Sequence, residues 1–312
     1  MAMRVSKARA SQRAAPALFE RQRQLLMLLN ALGGTAGNLD FQKILFLYCQ
    51  DPASGSPYEF VPYKFGAFSF TSYADRRKLI ERGFLTNDEQ QWQLTDAARK
   101  ALGHTQDLLL TTFARRIGSR RGDVLVAETY RRFPYYATRS EIAERVLRDD
   151  AAALDRIEAA RPAVQPAAVS TIGYEGRTFE RYLNELLRAG ITLLCDVRRN
   201  PISRKYGFSK STLAKGCEGV GIRYEHLPEL GIASDQRQSL ETQADYDALF
   251  AEYERKDLPE QGQALAKIAV WIRAGERVAL TCYELAATRC HRHCVTEALE
   301  NQFGRGFAAK HL

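Results

Sequence analysis

Val278-Ala279-Leu280-Thr281-Cys282-Tyr283-Glu284, followed five residues later by Cys290-His291-Arg292, decides the fold of the C-terminal half. An apolar run with β-branched residues that breaks into polar ones, then into a helical stretch, reads as a buried strand whose end delivers side chains to one place. Three stretches upstream read the same way: Val169 to Gly176, Ile191 to Arg198 and Ile222 to Leu227. Helical segments lie between them, at Thr178–Ala189, Asp245–Tyr253 and Pro259–Ala274, and this alternation is the signature of a mainly parallel sheet covered by helices. In such a sheet ligands bind outside the carboxyl ends of the strands. Parallel strands would bring Glu175, Asp196, Arg198, His226 and Glu284 to one edge. Any one of them alone is equally an ordinary solvated loop charge.

Thr171-Ile172-Gly173-Tyr174-Glu175, Asp196-Val197-Arg198 followed by Pro201 and Ser203, Gly221-Ile222-Arg223-Tyr224, and Cys282-x-Glu284 with Cys290-His291-Arg292 together resemble the domain of unknown function 488 family. The resemblance runs over roughly residues 120 to 312 and implies an α/β fold. It implies a positioned cluster of Cys282, Glu284, Cys290, His291 and Arg292, without naming a reaction.

Ahead of this half, Phe19–Leu32 and Leu39–Tyr48 carry apolar residues at helical spacing. An aromatic passage, Tyr58 to Phe70, leads into a polar helix over Ser72–Arg82 with Arg76, Arg77 and Lys78, and Gln91 to Thr95 alternates as a strand. Helix, helix, basic helix and β-wing is the order of a winged helix, which lays one helix in the major groove or serves as a protein-binding module. Tyr63-Lys64-Phe65-Gly66 resembles the Panacea-type antitoxin domain over residues 20 to 102. Arg115 to Gly122, with Arg120 and Arg121, reads as the domain boundary and as a local positive patch or a solvated linker. Val124–Arg132 and a long segment, Thr138–Ala160, read as helices, the second capped at Ser140. The expected organisation is a disordered basic arm over 1–16, an α+β winged-helix domain over 17–116, and an α/β catalytic domain over 117–312.

The chain has 312 residues and a formal charge of +8; the first 160 residues hold 24 basic and 18 acidic residues, the remainder 21 and 19. The basic excess in the N-terminal half points to a polyanion there, with DNA as the expected partner. No run of eighteen apolar residues occurs, so no membrane partner is expected. Six cysteines in apolar patterns suit reduced thiols and a cytoplasmic setting. The oligomeric state is left open.

Three chemistries compete at the strand ends. Cys282, Cys290, His291, His293 and Cys294 include metal-ligand types, but the spacing is not that of paired CxxC elements, so no metal is expected. A thiol nucleophile, Cys282 or Cys290 beside His291, is the second. In the third, Asp196 with Glu175 or Glu284 stabilises a developing sugar cation or activates water, while Tyr174 in the loop after Gly173 stacks on an extruded base. Arg198, Arg204 and Lys205 then grip phosphate, with His226, Cys282 and Arg292 completing the substrate site. No Walker loop or GxGxxG is present, so no nucleotide cofactor is expected. A DNA-reading domain joined to such a pocket suggests a base-excising hydrolase needing no cofactor, in defence or repair, with Asp196 as first choice of carboxylate. The competing class is a ligand-sensing DNA-binding regulator.

Overall fold

The computed structural model describes residues 18–103, 107–237 and 240–312. The basic arm expected over residues 1–16 lies outside them. In the N-terminal half, α1 (Glu20–Ala31), β1 (Thr35–Gly37) and α2 (Asn38–Cys49) precede a hairpin of β2 (Val61–Tyr63) and β3 (Gly66–Phe68). Then come α3 (Phe70–Glu81), β4 (Gln91–Gln93), α4 (Asp96–Leu102), α5 (Leu108–Ile117) and α6 (Gly122–Arg132). β1 pairs antiparallel with β4, and a bridge between Leu85 and Leu94 extends that small ladder. The apolar positions that predict α1 and α2 fill the core here: Leu25, Leu26, Leu29, Phe41, Ile44 and Leu45 are buried around Trp92.

Arg115 to Gly122 closes α5 and opens α6. Arg120 donates to the Ile117 carbonyl at 3.0 Å and pairs with Glu128 at 2.6 Å, and Arg121 donates to the Gly118 carbonyl at 3.1 Å. Both arginines thus cap the end of α5. The long helix expected over Thr138–Ala160 is two short ones, α7 (Ala143–Val146) and α8 (Ala151–Ala159). Asp150 breaks it by accepting from Ala153 N at 3.0 Å as a new N-cap, while Ser140, short of the α7 N-cap Ile142, bonds the Tyr130 hydroxyl at 2.7 Å and accepts from Ile142 N at 3.2 Å.

The C-terminal half runs β5 (Ala168–Gly173), α9 (Phe179–Arg188), β6 (Leu193–Asp196), α10 (Lys210–Gly219), β7 (Arg223–His226), α11 (Gln243–Lys256), α12 (Gly262–Arg273), β8 (Arg277–Cys282), α13 (Arg292–Phe303) and β9 (Lys310–His311). The strands form one five-stranded sheet in the order β7-β6-β8-β5-β9, parallel in every pairing. The expected α/β class therefore holds for this half. Leu193, Cys195, Val278 and Leu280 face α11, α12 and α13, whereas Leu194 and Ala279 face α9 and α10. Burial of both faces is why the strands read as continuous apolar runs. α10 and β9 are not legible as elements in the sequence; α10 begins in a polar, glycine-bearing stretch and β9 has only two residues.

The two halves are fastened along α9. Glu180, 1% exposed, accepts from Thr71 N at 2.7 Å, from Thr71 Oγ1 at 2.9 Å and from Ser69 Oγ at 3.2 Å, so a carboxylate of α9 sits on the first turn of α3. Asn184 donates to the Phe60 carbonyl at 2.7 Å and accepts from Tyr135 at 2.8 Å. Phe70 meets Phe179 edge to face, and Val61 is buried in the α9–α10 core.

Candidate active site

Parallel pairing brings Gly173, Asp196 and Cys282 to the same edge of the sheet. A cavity of about 330 Å³ opens there, lined among others by Tyr174, Arg198, Arg204, Arg237, Cys282, Tyr283, Glu284 and His291. A larger open groove of about 570 Å³ lies between α11, α12 and α13. It holds none of the strand-end residues, so the smaller cavity is the one the topology favours.

Beneath the cavity floor is a closed ion pair. Asp196, 0% exposed, accepts from Arg198 Nε at 2.8 Å, Arg198 Nη2 at 2.5 Å, the Arg198 amide at 3.1 Å and the Tyr224 hydroxyl at 2.7 Å. Arg198 also donates through Nη1 to the Tyr174 hydroxyl and the Phe208 carbonyl, each at 2.9 Å. Burial works against the guanidinium charge and Asp196 outweighs it, leaving Arg198 held above its ordinary range. Asp196 has all four lone pairs engaged, and four of the five Arg198 N–H donors are spent on Asp196, Tyr174 and Phe208. The expected catalytic carboxylate and phosphate clamp are anchors.

Tyr174 is likewise not open for stacking: its ring lies flat on Phe208, with centroids 4.3 Å apart. His226 stands behind Arg198, with its Nε2 2.8 Å from the Arg198 carbonyl and its Nδ1 3.0 Å from Lys210 Nζ. Lys205 donates to the Tyr174 carbonyl at 2.9 Å. Of the expected phosphate-gripping residues only Arg204 is exposed at the rim, beside Arg199.

The loop after β8 is built to hold Glu284 in place. Arg292, at the start of α13, donates to the carbonyls of Glu284 (2.6 Å) and Leu285 (2.9 Å) and to Thr171 Oγ1 (3.2 Å). Glu175 accepts from the Leu285 amide at 2.9 Å. A methyl group on Gly173 would lie 1.8 Å from the Glu284 carbonyl oxygen, so β5 must end in glycine for the loop to cross it. Glu175, Gly173 and Arg292 therefore position the site from outside the cavity.

Inside it, Cys282 Sγ lies 3.4 Å from Glu284 Oε2 and 3.9 Å from His291 Nδ1, and Cys290 Sγ is 3.9 Å from the same nitrogen. His291 Nε2–H donates to the Val197 carbonyl at 3.0 Å, which turns Nδ1 toward the two sulfurs. Arg237 reaches Glu284 Oε1 at 3.4 Å. A hydrogen bond from Cys290, with His291 and Arg237 nearby, holds the Cys282 thiol well below its usual range despite burial, while burial pushes Cys290 up. Burial, then the neighbouring Cys282 sulfur, raises Glu284. The spacing in sequence is not that of paired CxxC elements, yet the eight-residue excursion from Cys282 to Cys290 folds back and sets three donor atoms, with that of His291, within 4.8 Å of one another. Arg237, Arg199, Ile202 and Tyr283 are among the cavity residues that the sequence reading does not single out. Tyr283 had a signal, an aromatic residue between Cys282 and Glu284 at a strand end.

A parallel α/β sheet with a polar pocket at its strand ends is the class that fold and site define. Residues 178–299 match the family described as Domain of unknown function DUF488, a span narrower than the sequence resemblance but one that includes Asp196, Arg198, Cys282, Glu284 and His291. No curated protein and no solved structure matches the chain.

Proposed function

We propose that this protein is a hydrolase that opens N-glycosidic bonds in DNA, drawing one nucleotide into the strand-end cavity. The observation that carries this proposal is the make-up of the cavity mouth: Ile202 and Tyr283 are 85% and 45% exposed beside the exposed Arg199 and Arg204. An apolar wedge unstacks a base, an aromatic ring receives it, and arginines hold the flanking phosphates. Below the mouth Glu284 faces the space where the sugar would lie. As the C1′–N bond breaks, the base leaves with the bonding electrons and takes a proton from solvent. Water oxygen joins C1′, and Glu284 accepts the water proton while facing the positive charge that builds on the sugar. Asp196, by contrast, fastens the Arg198 loop under the floor.

The order of α1, α2, α3 and the β1–β4 ladder supports a winged-helix-like N-terminal unit. Its first α3 turn is covered by Glu180, so the base-reading position of a helix-turn-helix is blocked. Arg76 donates to the carbonyls of Asp88 and Gln91, the latter at 2.9 Å, and closes the wing turn. Arg77 and Lys78 are exposed and suit phosphate contact. One observation favours the regulator alternative: Tyr206, in the loop that lines the cavity, donates to the Phe70 carbonyl at the start of α3 at 3.0 Å, so an occupant could be sensed there.

Incubation of the protein with plain and base-modified duplex and single-stranded DNA, with mass spectrometry of the small-molecule fraction, tests the proposal. Free base and matching abasic strands are expected from at least one substrate. Intact DNA throughout, with tight binding of a nucleotide, would favour the regulator.

A further inference from the structure

We propose that Cys282, Cys290 and His291 form a zinc site whose fourth coordination position opens on the strand-end cavity. Ligand atoms on a tetrahedral zinc, at bond lengths of about 2.3 Å to sulfur and 2.0 Å to nitrogen, stand about 3.6 to 3.8 Å apart. His291 Nδ1 is 3.9 Å from each sulfur, and all three donors lie within 4.8 Å of one another, so loading needs shifts of a few tenths of an ångström to about one. Two thiolates and an imidazole are a donor set that selects zinc over magnesium or calcium.

The surroundings are those of a built site. The His291 Nε2–H bond to the Val197 carbonyl fixes the ring with Nδ1 as the ligand nitrogen, the outer contact that metal-bound histidines make. Cys282 ends a central strand and His291 caps α13, both fully buried, so the donors are held by packing as well as by each other. Charge also balances: two thiolates offset the ion, and Arg237 Nη2, which lies 3.4 Å from Glu284 Oε1 and 3.5 Å from His291 Nδ1, would turn wholly to Glu284 when the ion takes that nitrogen. Glu284 Oε2, 3.4 Å from Cys282 Sγ, marks the cavity side as the direction of the open position. A second cluster, Glu254, His293 and Cys294, has an exposed carboxylate and serves as the control.

This site does not rest on the glycosidic reaction proposed above, because metal uptake is read without turnover. Full-length protein, stripped with chelator and dialysed against buffered zinc, should hold one equivalent by elemental analysis. With cobalt it should show sulfur-to-metal charge-transfer absorption and tetrahedral ligand-field bands. C282S and C290S should each bind at least tenfold more weakly, and C294S should keep its equivalent. Folded wild-type protein that takes up neither metal, or a Cys282–Cys290 disulfide in place of zinc, overturns the proposal. Zinc retained in both C282S and C290S does so too. Should those variants fail to fold, the wild-type cobalt spectrum decides alone: bands without sulfur charge transfer contradict the site.

Discussion

Asp196 and Glu284 are both acids at strand ends, and their surroundings give them opposite work. Asp196 accepts four hydrogen bonds in the dry interior; Glu284 has Arg237 and the Cys282 sulfur beside it and a cavity in front. Replacing Asp196 by Asn leaves the buried Arg198 guanidinium without its counter-charge, which costs about 3–5 kcal/mol. Urea unfolding of Asp196→Asn should show that loss, whereas Glu284→Gln should unfold within about 1 kcal/mol of wild type. Lys43 carries a pH prediction. It is buried in α2, donates to the Ala67 carbonyl at 2.9 Å, and burial lowers it from 10.5 to about 7. Between those values the unfolded chain keeps a proton that the native state has lost, so stability rises with pH across that window. The gain should amount to a few kcal/mol by pH 10 and vanish in Lys43→Met, as read from denaturation midpoints between pH 6 and 10. The residue identities at the strand ends were legible because polar residues interrupt apolar runs. Which of them point into solvent was not, since Asp196 and Arg198 owe their burial to Tyr224, Tyr174 and Phe208, which come from other elements.

Among the elements, α3 shows how a helix can have the composition of a DNA reader and another contact. Ser69 caps it, and Glu180 of α9 binds the same turn, a long-range contact that no local pattern announces. Arg76, Arg77 and Lys78 are consecutive in sequence, yet Arg76 lies over Trp92 at 5.2 Å and holds the turn that leads into β4. Replacing Arg77 and Lys78 with Ser should weaken DNA binding and flatten the log–log salt slope by about 1 to 2, measured by fluorescence anisotropy from 50 to 200 mM salt. Arg76→Ala should instead destabilise the fold by about 1–3 kcal/mol through the carbonyls it abandons. The four central strands β5, β6, β7 and β8, the short β4 and most helices are readable from period and caps, whereas β1, β2, β3 and β9, of two or three residues each, are not. Thr138–Ala160 was not, because Asp150 reads locally as a helix residue and acts as a cap only once Ala151–Ala159 starts afresh.

At the scale of the whole molecule, α9 joins the halves through Glu180 and Asn184, and the cavity loop reaches α3 through Tyr206. On the proposed reading, DNA meets the cavity mouth and α3 together, with Ile202, Tyr283, Arg199 and Arg204, which lie at that mouth, around the reacting nucleotide. Tyr283→Ala should lower base capture at a cost of roughly 1–3 kcal/mol, seen as a higher substrate concentration for half-maximal rate. On the proposed function Glu284, rather than Asp196, carries base excision in this cavity. The most direct test of this is the yield of abasic sites, counted by alkaline strand scission after single-turnover incubation of wild type and Glu284→Gln with the same panel of modified DNA. Wild type should generate abasic sites on at least one substrate, and Glu284→Gln, folded and still binding DNA, should fall by two or more orders of magnitude. Equal yields from the two proteins, or none from wild type, would contradict it.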